Sequence, residues 1–297
     1  MRVVAVVLVL LLGAAGCDRA AARPAAPAST SVETVRVGDV ERTYRLHVPT
    51  AAVGRTGAPV VIVLHGGGGN GAQVEKQTGF SDLADREGFL AVYPDGSGRT
   101  RLLTWNAGTC CGYARDRDVD DVGFLRVLIA QFPGRRVYVT GFSNGAMLAY
   151  RAGCELADQV GAIAPVSGAM DLPSCRPARP LPVYAIHGDA DPIVPYDGGT
   201  SSSRIANPAV AGSHRSVAYA MTSWSRFDGC SGSSTSFRGA ITTVRYTGCA
   251  ADVRFDTVVG GEHAWPGGRS SRPGADPPTT ELDATEAIWS FFATHGG

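Results

Sequence analysis

Short, largely apolar runs recur along this chain and constrain its fold more than any other feature. They span residues 59–64, 89–93, 137–140, 162–166 and 183–186. A strand in a parallel sheet is covered on both faces, so its sequence is almost continuously apolar. Apolar residues at helical spacing occur in the segments 122–132, 217–227 and 282–294. This alternation of strands and helices predicts an α/β fold with one doubly wound, mainly parallel sheet.

An antiparallel hairpin is expected before the first buried strand. Polar and apolar residues alternate in the segments 33–37 and 42–48, which flank the dipeptide Gly38-Asp39. Alternation around a short turn of this type is typical of a β-hairpin. No internal repeat and no second linker interrupts residues 32–297, so we expect one folded domain over that range.

The first 17 residues have the form of an export signal. Arg2 precedes ten apolar residues at 3–12, and small residues then lead to Cys17. Ten residues make about 15 Å of helix, half the thickness of a bilayer core, so this run is not a membrane span. The ending AAGC is similar to the cleavage box of bacterial lipoproteins, in which the cysteine is lipidated. The alternative is a secretory signal cut in the Ala-rich segment that follows. Residues 18–31 are expected to be a flexible tether.

The remaining six cysteines form an even set, which suits disulfides in an oxidising compartment. Cys230 and Cys249 flank a predicted hairpin region and are the expected local pair. The others, which are expected to form two disulfides in an order that the sequence leaves open, are Cys110, Cys111, Cys154 and Cys175. No C-x-x-C or H-x-x-x-H spacing accompanies them, so a zinc site is not expected.

The charges of the chain balance. Lys plus Arg number 27 and Asp plus Glu also number 27, which gives a formal net charge of zero. Surfaces that bind nucleic acids or anionic bilayers carry an excess of Lys and Arg. No nucleic-acid partner is therefore expected, and contact with a membrane is expected only through a lipid on Cys17.

Two predicted helices have candidate N-caps. Asp120 or Asp121 would cap the helix at 122–132, and Ser213 would cap the helix at 217–227. Asp116 and Asp118 extend the same acidic run. Calcium prefers such oxygen ligands, but helix capping and solvation account for these carboxylates, and no metal site is predicted.

The pentapeptide GFSNG at residues 141–145 lies between the predicted strand at 137–140 and a helical segment at 146–152. In a G-x-S-x-G motif, glycines flank the serine because the turn from strand to helix is too tight for larger side chains. The turn exposes the serine hydroxyl at the carboxyl edge of the sheet. Ser143 is therefore the expected nucleophile.

A serine hydroxyl needs a base to take its proton, and on this type of turn the base is a histidine that comes last in the chain order Ser, Asp or Glu, His. His214 is expected at the start of a helix and His295 in the terminal tail. His263 lies in a glycine-rich loop between the predicted strand at 253–258 and the last helix. His263 is therefore the expected base.

The acid that orients the base is expected after the strand at 183–186. Asp189 and Asp191 both follow that strand at its carboxyl end, where ligands bind open α/β sheets. Asp189 is suited to accepting backbone N–H bonds within the turn. The residues alone leave the choice between the two carboxylates open.

Backbone N–H groups are also needed to hold the negative charge that develops on a reacting carbonyl oxygen. The four glycines at 66–69 follow the first buried strand and form the type of loop that supplies one donor, which we assign to Gly67. The N–H of Asn144, immediately after the nucleophile, is the second donor. His65 is expected to be structural. A phosphate-binding P-loop is excluded because no Lys-Ser/Thr follows the glycines.

Six segments together resemble one family. They are LHGGGGN at 64–70, WNAGTCCG at 105–112, VDDVGF at 119–124, GFSNGAM at 141–147, HGDADPIVPY at 187–196 and EHAWPG at 262–267. These segments are similar to the extracellular esterases grouped as poly(3-hydroxybutyrate) depolymerases and feruloyl esterases. The resemblance implies an α/β-hydrolase fold and a triad of Ser143, Asp191 and His263, without a metal or cofactor. It also implies that the cysteine doublet belongs to a disulfide-bonded region near the site.

The resemblance implies a serine esterase that acts through an acyl-enzyme. Polymer depolymerases of this family commonly carry a further surface-binding domain, which does not follow the last predicted helix here. A feruloylated or acetylated saccharide, or a short hydroxyalkanoate ester, is therefore the expected substrate. Trp265 and Trp105 are expected to form an aromatic wall for its acyl group. The alternatives are a lipoprotein that uses the fold only for binding, and a serine peptidase.

Overall fold

The computed structural model describes residues 27–201 and 212–295. The predicted export signal with Cys17 lies outside the described residues, and so does the tether up to residue 26. The first strand begins at Ser29, four residues before the predicted start of the first hairpin strand at residue 33. The reason is that residues 29–31 already pair with residues 46–48 of the second strand. In the two described ranges, no helix has both the length and the apolar character needed to cross a bilayer.

The described residues form twelve strands and seven α-helices. In chain order they are β1 (Ser29–Val37), β2 (Val40–Val48), β3 (Val60–Leu64), α1 (Gly71–Thr78), α2 (Phe80–Glu87), β4 (Leu90–Pro94), α3 (Gly112–Asp116), α4 (Asp121–Ala130), β5 (Val137–Phe142), α5 (Asn144–Glu155), β6 (Ala162–Val166), β7 (Val183–Gly188), β8 (Gly199–Thr200), β9 (Ser213–His214), α6 (Val217–Phe227), β10 (Gly232–Arg238), β11 (Ile241–Thr247), β12 (Val253–Val258) and α7 (Ala284–Thr294). A short 3₁₀ turn at Thr50–Ala52 connects β2 to β3.

One large sheet organises the molecule. Its strand order is β1-β2-β4-β3-β5-β6-β7-β12-β11-β10. The six strands from β4 to β12 are parallel, and an antiparallel hairpin extends each end. The first hairpin turns at Gly38-Asp39, where Gly38 has a φ of 58° that suits glycine. The predicted architecture, a mainly parallel sheet with an N-terminal hairpin, is confirmed.

Helices cover both faces of the sheet. Successive residues of β3 show why its sequence is wholly apolar: Val60, Ile62 and Leu64 enter the core beneath α4, α5 and α6, whereas Val61 and Val63 enter the core beneath α1, α2 and α7. Full burial of one such side chain contributes about 1.5–3 kcal/mol. A polar residue anywhere in this strand would therefore face a core on one side or the other.

Of the two predicted helix caps, the structure confirms the one for α4 and contradicts the one for α6. Asp120 caps α4 by accepting a backbone N–H, while Asp121 is buried and pairs with Arg42. The cap of α6 is Ser216, so the prediction of Ser213 is wrong. The chain is still extended at Ser213, because β9 pairs there with β8, and the helix begins only after that short ladder ends.

The described residues contain three disulfides. Cys230 and Cys249 join the ends of the hairpin β10–β11, which is the local pair that the sequence predicts. Of the four cysteines whose pairing was open, Cys154 bonds to Cys175 and the neighbours Cys110 and Cys111 bond to each other.

Candidate active site

Ser143 lies in the sharp turn between β5 and α5, with φ 56° and ψ −121°. Residues with a side chain rarely adopt such angles, which cost about 1–3 kcal/mol and are common at functional sites. Close packing explains the two motif glycines. A Cβ atom at Gly145 would lie 2.5 Å from the carbonyl oxygen of Leu64, and one at Gly141 would lie 2.8 Å from Leu64 Cβ. The turn can therefore pack against β3 only with glycine on both sides of the serine.

Three side chains from separate loops meet at the carboxyl edge of the sheet. Ser143 Oγ lies 2.9 Å from Nε2 of His263. Nδ1 of the same ring lies 2.7 Å from Oδ2 of Asp191. The loops follow β5, β12 and β7, whose parallel directions bring their ends to one edge. If Nδ1 carries the proton that the carboxylate accepts, Nε2 is free to accept the serine proton.

The carboxylate of Asp191 is completely buried, with a side-chain exposure of 0%. Its Oδ1 accepts the backbone N–H groups of Ile193 and Val194, each at 2.8 Å. Burial by itself raises the pKa of Asp191, but the attraction to His263 and hydrogen bonds from His187 and His263 outweigh it and hold that pKa well below its usual range. The group is therefore ionised and stabilises positive charge on the imidazole.

Asp189, the other candidate acid, has a different role. Its Oδ1 accepts the backbone N–H of Gly260 at 2.6 Å, in the loop that carries the histidine. Two backbone bonds between the same loops accompany it, from Asp189 N to Val258 O and from Ala190 N to Gly261 O. Asp189 thus joins the loop after β7 to the loop after β12, and its carboxylate does not meet the imidazole.

Two residues that the sequence analysis did not select also hold the histidine loop. Ser167 Oγ donates to the carbonyl oxygen of Ala264 at 3.3 Å. Asp276 Oδ2 accepts the backbone N–H of His263 at 3.2 Å. Ser167 could have been predicted to lie near the site, because it directly follows β6 at the same sheet edge. Asp276 lies in a long loop without a motif, and the sequence gives no signal for it.

Both predicted oxyanion donors belong to segments that adjoin the nucleophile: Asn144 follows Ser143 directly, and Gly67 follows Gly66 in a turn that packs on it. A bond from Gly69 N to Gly66 O, 2.9 Å long, closes a turn around Gly67. This turn packs on the serine, because a Cβ atom at Gly66 would lie 3.4 Å from Ser143 Cβ. Asn144 is the first residue of α5. Its N–H therefore belongs to the helix N-terminus, where backbone donors lack intrahelical partners and the helix dipole favours negative charge.

His65 is buried next to the glycine turn. Its Nε2 accepts the N–H of Gly96 at 2.9 Å, so its Nδ1 is the donor to the carbonyl oxygen of Gly66 at 2.8 Å. Burial lowers the pKa of His65 to about 4, against the opposing influence of the Gly66 hydrogen bond and of Asp95. The ring is therefore neutral at pH 7 and fixes the turn, in agreement with the structural role expected for it.

The expected aromatic wall is not formed, and this prediction is corrected. Trp105 and Trp265 are 0% and 1% exposed. The Trp105 indole donates to the carbonyl oxygen of His65 at 2.9 Å, and the Trp265 indole donates to Thr285 Oγ1 at 3.0 Å. Large rings with a satisfied N–H gain most from complete burial. Neither ring therefore presents a face to a ligand.

The acidic run at the start of α4 is engaged within the protein. Asp121 pairs with Arg42, and Asp118 accepts from the side-chain amide of Asn106 at 3.2 Å. Asp116 forms an exposed ion pair with its neighbour in sequence. Over residues 27–201 and 212–295, no three His, Cys, Asp or Glu side chains are grouped in a way that would hold a metal ion.

Comparison with known proteins identifies relatives of the chain. The family model described as Esterase PHB depolymerase matches residues 42–196, more than half of the chain. A protein of Nocardia uniformis subsp. tsuyamanensis with the name "Putative esterase NocK" is 33% identical over 83% of this chain and 77% of its own length. Feruloyl esterase B of Piromyces equi is 30% identical over 73% of this chain, but the match spans only 41% of that longer protein.

The fold has counterparts among solved structures. The acetyl xylan esterase from Aspergillus awamori superposes with a TM-score of 0.59 at 13% identity, over 89% of this chain and 99% of its own. An S-formylglutathione hydrolase from Agrobacterium tumefaciens gives a TM-score of 0.51 at 13% identity, over 91% and 95%. At this identity the likeness concerns the fold, which is the predicted α/β-hydrolase fold. With the family match and the esterase relatives, it follows that the chain is a carboxylic ester hydrolase and belongs to the family described as Esterase PHB depolymerase.

Proposed function

We propose that this protein is a serine esterase in which Ser143 is the nucleophile, His263 the general base and Asp191 the orienting acid. The observation that carries the proposal is the continuous chain of hydrogen bonds at 2.9 Å and 2.7 Å through the two nitrogens of one imidazole. This is the geometry that a nucleophile, a base and its orienting group require. Backbone N–H groups of Gly67 and Asn144 supply the oxyanion pocket.

In the first half of the reaction, Ser143 Oγ attacks the ester carbonyl carbon while its proton passes to Nε2 of His263. The carbonyl oxygen becomes an oxyanion, which the N–H groups of Gly67 and Asn144 bind. Asp191 stabilises the imidazolium, and this stabilisation is consistent with the lowered pKa of its carboxyl group. When the tetrahedral intermediate collapses, the C–O bond to the leaving group breaks and Nε2 returns the proton to the alkoxide. An alcohol leaves and the acyl group stays on the serine.

In the second half, water takes the place of the alcohol. His263 Nε2 accepts a proton from water as its oxygen attacks the acyl carbon, and the same two N–H groups bind the new oxyanion. Collapse of this intermediate breaks the bond to Ser143 Oγ, which recovers its proton from the imidazolium. The carboxylic acid leaves and the resting enzyme returns. The chain's own residues carry out every step of this cycle.

For the substrate, we propose feruloyl or acetyl esters of saccharides, or short hydroxyalkanoate esters. Relatives named feruloyl esterase and acetylxylan esterase support the first two, and the family description supports the third. The experiment is a panel of p-nitrophenyl acetate, methyl ferulate, 3-hydroxybutyrate oligomers and peptides, each compared by kcat/KM. We expect ester turnover to exceed peptide turnover. Faster cleavage of peptides would contradict the esterase proposal and favour a peptidase.

A fluorophosphonate tests the assignment of the nucleophile. We expect one phosphonyl group per chain on Ser143, and none in Ser143→Ala. Ser167→Ala is the matched control, because Ser167 is also buried, also has a positive φ of 51° and also follows a parallel strand at this edge. Its hydroxyl donates to a carbonyl oxygen and not to a base. The Ser167→Ala protein should therefore reach the same final stoichiometry of phosphonylation as the wild type. Labelling that survives in Ser143→Ala would refute the assignment.

We further propose that the protein is exported and that Cys17 is lipidated. Three disulfides in the described residues support export, because such bonds persist in oxidising compartments. In a bacterial host, we expect the wild type to partition into detergent and Cys17→Ala to remain in the aqueous phase. Equal partitioning of the two would contradict lipidation and favour the simple secretory signal.

A further inference from the structure

We infer that Trp105 is a positioning residue for the oxyanion pocket, because it hydrogen-bonds to both segments that supply the proposed donors. The inference rests on the proposed function, in which Gly67 and Asn144 bind the oxyanion. Trp105 does not touch the substrate in this account. It sets where the two donors stand before the charge develops, which is the condition under which an oxyanion pocket is effective.

The first connection is to Asn144. Trp105 N donates to Asn144 Oδ1 at 2.8 Å, and Asn144 Nδ2 donates back to Trp105 O at 3.1 Å. The side-chain amide thus engages both backbone groups of a single residue. Both residues are fully buried, so water cannot replace either bond if the pair separates. The first residue of α5, whose backbone N–H is a proposed donor, is held in place by this pair of bonds.

The second connection is to the glycine turn. The indole Nε1 of Trp105 donates to the carbonyl oxygen of His65 at 2.9 Å, and the two rings lie 4.7 Å apart. That carbonyl group belongs to the peptide unit that leads into Gly66. Four consecutive glycines have more conformational freedom than any other residues, so the turn needs bonds from outside to hold Gly67 in one position. The indole N–H supplies such a bond at the beginning of the turn.

Trp105 is itself fixed from a third side. Its carbonyl oxygen also accepts the N–H of Cys111 at 3.1 Å, and Cys111 is bonded to Cys110 in the disulfide between neighbours. The hydroxyl of the preceding residue, Thr104, accepts the N–H of Ala114 at 3.0 Å. The cysteine doublet therefore holds the residue that connects the two donors, which gives this region a physical link to the proposed site.

The expected kinetic effect follows from when the oxyanion exists. The charge is present in the transition state and absent in the bound ester, so a displaced donor lowers kcat and leaves KM nearly unchanged. Loss of a whole donor lowers kcat about 10²- to 10³-fold. Of the hydrogen bonds of Trp105, Trp105→Phe removes only the one from the indole N–H and leaves the backbone bonds to Asn144. We therefore expect kcat to fall about tenfold or more, with KM within about threefold.

The experiment measures kcat and KM for p-nitrophenyl acetate, and the affinity for a trifluoromethyl ketone that forms a tetrahedral adduct. The matched control is Trp224→Phe, because Trp224 is equally buried and its indole nitrogen has no hydrogen-bond partner among the described residues. The control has the same loss of volume, from indole to phenyl, but it breaks no hydrogen bond to the oxyanion pocket. We expect Trp105→Phe to lose ketone affinity in proportion to kcat/KM, and the control to keep kcat within about twofold.

A kcat for Trp105→Phe within threefold of the wild type would overturn the inference. A raised KM at unchanged kcat would also overturn it, because that result belongs to a residue that binds substrate. If the phenylalanine variant does not fold, 3-benzothienylalanine at position 105 keeps the shape of the indole and removes only the N–H, and the same outcomes apply. Failure of the proposed function is separable, because it would appear in the wild type as no ester turnover and no phosphonylation of Ser143.

Discussion

Replacement of Asp191 by asparagine is the substitution whose consequence the structure defines most closely. Oδ1 accepts two backbone N–H groups, from Ile193 and Val194. In Asp191→Asn, the amide oxygen takes that position because only an oxygen can accept those bonds, and the NH₂ group then faces the imidazole of His263. The ring can meet an N–H donor only with an unprotonated Nδ1. Its proton therefore moves to Nε2, and Nε2 can no longer accept the proton of Ser143.

The magnitude follows from this change of tautomer. Loss of the correct tautomer in a serine triad lowers kcat by about 10⁴, which corresponds to about 5.5 kcal/mol of transition-state stabilisation. The interaction lost is strong, because attraction to His263 holds the pKa of Asp191 well below its usual range despite complete burial. The shape of the side chain is preserved, so the fold should survive, and circular dichroism should show this.

The assay is kcat/KM for p-nitrophenyl acetate at pH 7.5. Asp189→Asn is the matched control, because its amide oxygen can still accept the N–H of Gly260 and its side chain does not meet the base. We expect a loss of about 10⁴ for Asp191→Asn and less than about threefold for the control. A loss below tenfold for Asp191→Asn, or an equal loss for both, would refute the role assigned to Asp191.

Further predictions concern the turn and a buried carboxyl group. Gly145→Ala places a Cβ atom 2.5 Å from the carbonyl oxygens of Leu64 and His65, so it should lower the free energy of unfolding by about 3 kcal/mol or more. Gly57→Ala, with open space around it, should stay within about 0.5 kcal/mol in the same urea titration, and equal midpoints for the two would contradict the packing argument. Burial raises the pKa of Asp228 to about 7 from 3.8, since its Oδ2 has no hydrogen-bond partner among the described residues. Between about pH 4 and 7 the unfolded chain releases this proton while the folded protein keeps it, so stability falls by up to about 4 kcal/mol as pH rises. Asp228→Asn should remove this part of the pH dependence in urea titrations from pH 4 to 8, and parallel curves for the two proteins would show that the carboxyl is not responsible.

The sheet could be predicted because its strands are buried on both faces. Burial of successive residues in opposite cores, as in β3, leaves an unbroken apolar run that the sequence shows directly. Helices α1 and α2 were not predicted, because Gly79, with a φ of 72°, divides the segment into two helices of eight residues each. In eight residues the apolar stripe has only a few members, such as Phe80, Leu83 and Ala84 in α2, and so short a pattern does not identify a helix in the sequence.

Some residues of the candidate site could be predicted from the sequence and others could not. The order of nucleophile, acid and base along the chain selects Ser143 and His263, since it follows from the topology of the sheet. Two carboxylates separated by one residue after the same strand cannot be distinguished by topology. Asp191 differs from Asp189 in its burial and in its bonds to two backbone N–H groups. Both features arise only when the loop is folded. The prediction that Trp105 and Trp265 line the substrate site was wrong. A tryptophan in a loop can pack in the core as readily as it can contact a ligand, and the sequence does not distinguish the two.

A crystal structure of the protein after reaction with a small fluorophosphonate tests the central claim most directly. We expect phosphorus bonded to Ser143 Oγ and a phosphoryl oxygen within about 2.7–3.1 Å of the backbone nitrogens of both Gly67 and Asn144. His263 Nε2 should remain next to the modified oxygen. An adduct on any other residue, or a phosphoryl oxygen that meets neither backbone nitrogen, would contradict the account.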